Sequence, residues 1–222
     1  MAQSYAYPPP SNPVSIISPQ YCAPYPVDLA IVRNVMTITR GNFDVQDIND
    51  NILFNVKGFF MTIHNRHVLF DAAGKPLVTL REKIMTVHSR WQVFRGESTD
   101  LNDLIFTAKK SSMLQLRTKL DVFLANNTEE DVCDFKVKGS WSKKSCVVYA
   151  GESDTIVAEM LKKTTVKSIL FGKDRFEVQV YPNIDYAFII ALIMILDAIN
   201  QMPSPLGVLM KVGTGIDPSS LS

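Results

Sequence analysis

Residues 184–200 read IDYAFIIALIMILDAIN, and from Tyr186 to Leu196 the run holds neither a charge nor a helix breaker. Asp185 suits the first turn, where the helix dipole favours an acid. Met202-Pro203-Ser204-Pro205 stops the helix. Sixteen or so residues make roughly 24 Å of helix. The uncharged stretch, about 11 residues, falls short of the roughly 20 needed to span a bilayer, so no transmembrane span is expected. A helix that is apolar all round is normally buried all round.

The rest of the chain has no second run of this kind. From about residue 28 to 181 it reads as strand after strand. In Leu116–Leu124, Leu116, Thr118, Leu120, Val122 and Leu124 alternate with Arg117, Lys119, Asp121 and Phe123. Phe176, Val178 and Val180 alternate with Glu177, Gln179 and Tyr181. Further runs are Val35–Arg40, Ile52–Lys57, Val68–Asp71, Leu77–Arg81, Met85–Phe94, Ile105–Ala108, Cys146–Ala150 and Ile156–Leu161. Turn signals part them every 8–12 residues or so, the spacing of an antiparallel sandwich or barrel. Residues 43–57 and 67–81 repeat weakly: Asp47 aligns with Asp71, Leu53 with Leu77 and Val56 with Leu80. Repeated strand–turn–strand units imply an up-and-down meander. One all-apolar helix in such a chain is buried only if the sheet wraps it. The expected fold is therefore mainly β, a closed antiparallel barrel of about 12 strands around a central hydrophobic helix over 184–200. A barrel much wider than eight strands has a lumen that wall side chains alone do not fill.

Residues 1–27 hold seven of the 12 prolines, among Tyr, Ser, Asn and Gln. Such a stretch has fixed φ angles, missing donors and little to bury, so a largely disordered leader is expected. The barrel then covers 28–200, and 201–222 forms a C-terminal tail. Three cysteines, Cys22, Cys133 and Cys146, make no disulfide scaffold and have no zinc spacing. A hairpin turn on Gly139-Ser140 would set Cys133 opposite Cys146; one on Trp141-Ser142 would slide them apart. No signal peptide is evident, so an intracellular location is expected.

The segments LQLRTKLDVFLANN (114–127), RWQVFRG (90–96), DAAGKPL (71–77) and FTAKKSS (106–112) resemble the LURP-one-related proteins of plants. The likeness runs from about 28 to 200. That family is related to the tubby C-terminal domain and to phospholipid scramblases, which implies a 12-stranded barrel around a hydrophobic C-terminal helix. Its founding members are linked to pathogen defence, and tubby-like proteins bind phosphoinositides and are regarded as membrane-tethered transcription factors. The resemblance thus implies a non-enzymatic regulatory or membrane-tethering module. The alternative is a lipid-handling protein of scramblase type. A cytoplasmic location with peripheral plasma-membrane association or a nuclear pool follows from the same likeness.

No GxSxG, HExxH, Walker A or GxGxxG motif occurs, so no catalysis and no cofactor are expected. His64 and His67 stand three apart with Asp71 beyond, a spacing that suits a helix and not a strand, so no metal site is expected. Asp47-Ile48-Asn49-Asp50-Asn51 begins like a calcium loop, but Ile52 and Gly58 fall where an EF-hand needs its glycine and its glutamate.

Net charge is +1, which argues against direct nucleic-acid binding. Residues 1–104 hold nine basic and nine acidic side chains; residues 136–175 hold nine basic and four acidic. Within the latter lies KVKGSWSKK, read as a hairpin with Trp141 near its tip. Lys136, Lys138, Lys143 and Lys144 suit anionic phospholipid headgroups, and Trp141 suits a membrane interface. A Trp folded back onto the barrel is the competing expectation. Lys109-Lys110-Ser111-Ser112 is a second basic spot. Protein partners cannot be read from these residues.

Overall fold

The computed structural model describes residues 12–34, 42–59, 66–83, 90–111, 118–161 and 173–201. The strands are β1 (Val27–Asn34), β2 (Phe43–Gln46), β3 (Ile52–Phe59), β4 (Arg66–Asp71), β5 (Pro76–Lys83), β6 (Arg90–Arg95), β7 (Leu104–Lys110), β8 (Thr118–Leu124), β9 (Phe135–Ser140), β10 (Ser145–Ala150), β11 (Ile156–Leu161) and β12 (Lys173–Val180). Each pairs antiparallel with its sequence neighbour, and β1 closes the ring against β12 from Val27↔Val180 to Asn34↔Lys173. This is the expected barrel.

The helix α1 (Tyr186–Gln201) runs through the lumen. Every residue from Ala187 to Leu196 is at most 2% exposed. Phe188 packs against Phe106 of β7 and Phe135 of β9, with ring centres 5.1 and 4.8 Å apart. The pleat sorts each strand by period 2. In β8, Leu120 and Val122 join the core while Lys119 and Asp121 face out. A void of about 10 Å³ beside Ile189 and Leu192 is at the lower limit for a single water.

The expectation of a disordered leader over residues 1–27 is corrected from Asn12 onward. Val14 bridges Ile184, and Cys22 bridges Asp185. A 3-10 turn over Pro19–Tyr21 drops the Tyr21 ring edge-on against Phe54 and Tyr186, at 5.3 Å from each. Asp185 is the reason. It is fully buried, and its Oδ2 accepts from the backbone N–H groups of Ile16, Ile17 and Ser18 at 3.0, 2.6 and 2.9 Å. Its Oδ1 accepts from Ala187 and Phe188 at 3.1 and 3.2 Å, capping α1. One carboxylate thus ties the leader across the barrel end where α1 begins. Residues 1–11, the expected strand Val35–Arg40 and the tail from 202 lie outside the described residues.

Candidate functional site

With α1 filling the lumen, the accessible chemistry sits on the outer wall. Four successive hairpins carry the same device there. Lys57 of β3 faces Val68 and lies 5.1 Å from the ring centre of Phe70, two residues along β4. Arg81 faces Gln92 and lies 5.0 Å from Phe94. Lys109 faces Asp121 and lies 4.4 Å from Phe123. Lys138 faces Val147 and lies 4.9 Å from Tyr149. Each cation therefore leans along one diagonal of the ladder onto an aromatic ring. In the next hairpin Glu159 takes that place, and the Tyr181 hydroxyl donates to it at 3.1 Å.

Three of these cations also face a second cation directly across the ladder. The pairs are Arg66↔Arg81, Arg90↔Lys109 and Lys119↔Lys138. Like charges directly opposite each other destabilise a sheet. In the middle pair the chain supplies its own counter-ion. Arg90 makes two bonds of 2.7 Å to the two carboxylate oxygens of Glu130, and Lys109 adds one of 3.0 Å. The Arg90 hydrogen bonds outweigh the opposing effect of burial, and with help from Lys109 they hold the Glu130 carboxyl down at about 2.

The structure divides the sequence-derived lysine and tryptophan set. The β9–β10 turn spans residues 141–144, with Ser140 facing Ser145 and Cys146 facing Gly139. Cys133 is therefore not opposite Cys146. Trp141 is 7% exposed and packs edge-on against Phe176 at 5.7 Å. It is folded onto the barrel and does not stand at an exposed tip. Lys144 lies 3.8 Å over its ring and 4.5 Å from that of Phe176. Lys136 is buried and bonded to Glu152, with Asp121 at 4.0 Å. Burial alone would lower its pKa, but those acidic neighbours, Glu152 first, hold it above the ordinary lysine value. Lys138 and Lys143 remain exposed. Lys119, which the sequence pattern passed over, stands directly beside Lys138. Lys109 of the second basic spot is committed to Glu130, and the Ser111 hydroxyl donates to Asp121 at 2.6 Å.

His67 faces the lumen beside Trp91, ring centres 5.8 Å apart, and burial pushes it down to about 4. His64 lies outside the described residues. Among the described residues no three His, Cys, Asp or Glu side chains converge. Burial pushes the thiols of Cys133 and Cys146 up to about 11. A thiol nucleophile needs a lowered pKa. Asp47 accepts from the backbone N–H groups of Asn49 and Asn51 at 2.8 and 2.9 Å, closing a turn on itself. No described helix is long and apolar enough to cross a membrane.

Comparison with known proteins agrees with this architecture. A family model described as LURP-one-related matches residues 27–197. Protein LURP-one-related 15 of Arabidopsis thaliana is 57% identical over 206 residues, covering 89% of this chain and 95% of its own. Protein LURP1 of the same plant is 54% identical over 190 residues, 86% of this chain and 92% of its own. The X-ray structure of an Arabidopsis thaliana protein superposes with a TM-score of 0.68 at 51% identity, covering 84% of this chain and 99% of that one. A twelve-stranded barrel closed on its own C-terminal helix, matched across that whole span, places the chain in the LURP-one-related family.

Proposed function

We propose that this protein is a non-catalytic regulatory module that tethers to anionic phospholipid headgroups, phosphoinositides among them, and takes part in plant defence. One observation carries the tethering: Lys119 and Lys138 face each other on the open wall with Lys143 in the adjoining turn. Each lysine near an anionic membrane contributes about 1 kcal/mol, so three give weak, reversible and salt-sensitive binding. Filling of the lumen by α1 supports a binding role over that of a carrier, since among the described residues the barrel interior keeps a void of only about 10 Å³. Scramblase-type action would require α1 to leave its barrel. Its departure would open lumen-facing wall side chains such as Leu69, Leu80 and Phe106 to water, at about 1.5–3 kcal/mol each.

Flotation with phosphoinositide vesicles tests the reading. Parent protein should float at low salt and sink as salt is raised. Lys119, Lys138 and Lys143 changed together to Ala should lose most of the binding while keeping the parent melting temperature. Equal flotation of parent and variant removes this corner as the lipid contact.

A further inference from the structure

The hairpin repeat contains one cation pair whose anion is visible and another, in a closely related setting, whose anion is not. We propose that Arg66 and Arg81, facing each other across β4 and β5, form a seat for a phosphate group, separate from the lysine corner. The argument starts from Arg90 and Lys109. That pair lies directly across a ladder, its second member leans on an aromatic ring two residues along the next strand, and an anion bridges the two cations. Arg66 and Arg81 repeat the first two features, with Phe94 as the ring. No carboxylate reaches them among the described residues: one Nη of Arg66 donates to the Glu97 backbone oxygen at 3.1 Å, and one Nη of Arg81 donates to Gln92 Oε1 at 3.1 Å.

Those two bonds orient the guanidiniums and leave donors on each. The Nε of Arg66 is buried with no hydrogen-bond partner. An orphaned donor of this kind is costly, and an oxyanion at the Nε–Nη edge removes the cost. Paired guanidinium forks match the oxygens of phosphate geometrically. The charge setting favours a dianion over a single carboxylate. Lys57 lies diagonally across the ladder from Arg66, Lys83 is two residues from Arg81 on the same face, and the outward side of β3 to β6 carries no carboxylate among the described residues.

The phosphate is either free, including on a soluble ester, or borne on a lipid headgroup; the chemistry at the seat is the same. Inorganic phosphate titrated into the full chain at fixed ionic strength, followed through the arginine Nε–Hε resonances, tests the seat. Arg66 and Arg81 should shift along one saturating curve while Arg175, paired with Asp50, stays still. Arg66→Gln, followed at Arg81, and Arg81→Gln, followed at Arg66, should each weaken the saturating step at least tenfold while the Arg175 resonance keeps its parent position, which shows that the fold is kept. Glu130→Gln should add a second saturating site at Arg90 and Lys109. Vesicles bearing a phosphomonoester lipid, against vesicles of equal charge bearing only phosphodiesters, name the source. Competition by the former alone assigns the headgroup, and no competition assigns a free or soluble phosphate. The Lys119, Lys138 and Lys143 triple variant should lose flotation yet keep the arginine shifts, so the two sites fail separately. Shifts at Arg66 and Arg81 that never saturate, or that match Arg175, overturn the seat.

Discussion

Asp185 and Glu130 show how much one carboxylate organises here. Asp185 satisfies five backbone N–H groups from two chain segments. Asp185→Ala leaves those donors buried, at about 1–3 kcal/mol for each that finds no other partner. A loss of several kcal/mol in urea unfolding is expected; a loss under about 1 kcal/mol would show that water replaces the carboxylate. Glu130 and His67 both contribute to the acid response. His67 has its folded pKa near 4, against roughly 6.5 unfolded. The unfolded chain therefore takes up a proton first, and stability falls as pH drops from about 6.5 to about 4. Glu130 has its folded pKa near 2 against roughly 4.3 unfolded. Its contribution is present above the unfolded value and is lost as pH falls towards 2. Urea midpoints of parent and Glu130→Gln should converge between pH 5 and pH 2.5, chosen to bracket that window. Parallel curves would mean that Glu130 does not titrate with folding. At Gly139, φ is +144° and an added Cβ would sit 2.2 Å from the Ser145 carbonyl oxygen, so this strand position needs glycine on both counts.

Elements were legible to the extent that their apolar residues were consecutive or alternating. The α1 run announced itself because Tyr186–Leu196 has no polar face to expose, and the strands followed from period 2. The leader stayed hidden because its anchors, Ile17 and Tyr21, are isolated among prolines, and its main fastening is a backbone contact to Asp185. Composition has no access to a backbone turn that fits one distant carboxylate. Trp141 had two expected places, the hairpin tip or the barrel surface, and the turn length decides between them. A four-residue turn in place of a two-residue one moves it off the tip and over Phe176. The leader now carries a definite expectation. Removing residues 1–26 strips Tyr21 from Phe54 and Tyr186 and frees the Asp185 carboxylate in an uncovered barrel end. Burial of Tyr21 and Ile17 alone contributes about 1.5–3 kcal/mol each, and 1 kcal/mol corresponds to about 2–4 °C in a domain of this size. A melting temperature lower by roughly 6 °C or more is expected in calorimetry. An unchanged value would show that the segment only rests on the barrel.

The charge of the whole molecule is balanced in number and unbalanced in space. Residues 1–104 hold equal numbers of acids and bases, so counting along the chain concealed the basic wall. The pleat sorts those charges: the outward strand positions of β3 to β6 take cations, while acids fall in loops and turns such as Asp47, Glu97 and Asp100. Strands β12, β1 and β2 turn Glu177, Asp28 and Asp44 outward, with Arg175 among them. Twelve strands spaced about 4.8 Å apart and tilted about 40° close a cylinder roughly 24 Å across. In the ring order β1 and β2 stand across from β8 and β9, a separation of about three times the Debye length of roughly 8 Å at physiological ionic strength, so the acids there are screened from whatever Lys119 and Lys138 meet. Two variants with equal and opposite charge changes separate sidedness from net charge. Lys119→Gln with Lys138→Gln removes two positive charges from the basic side, and Asp28→Asn with Asp44→Asn removes two negative charges from the far side. If sidedness governs, the lysine pair loses most flotation on anionic vesicles and the aspartate pair leaves it within about twofold of the parent. If net charge governs, the aspartate pair strengthens flotation as much as the lysine pair weakens it, and the oriented-wall account fails.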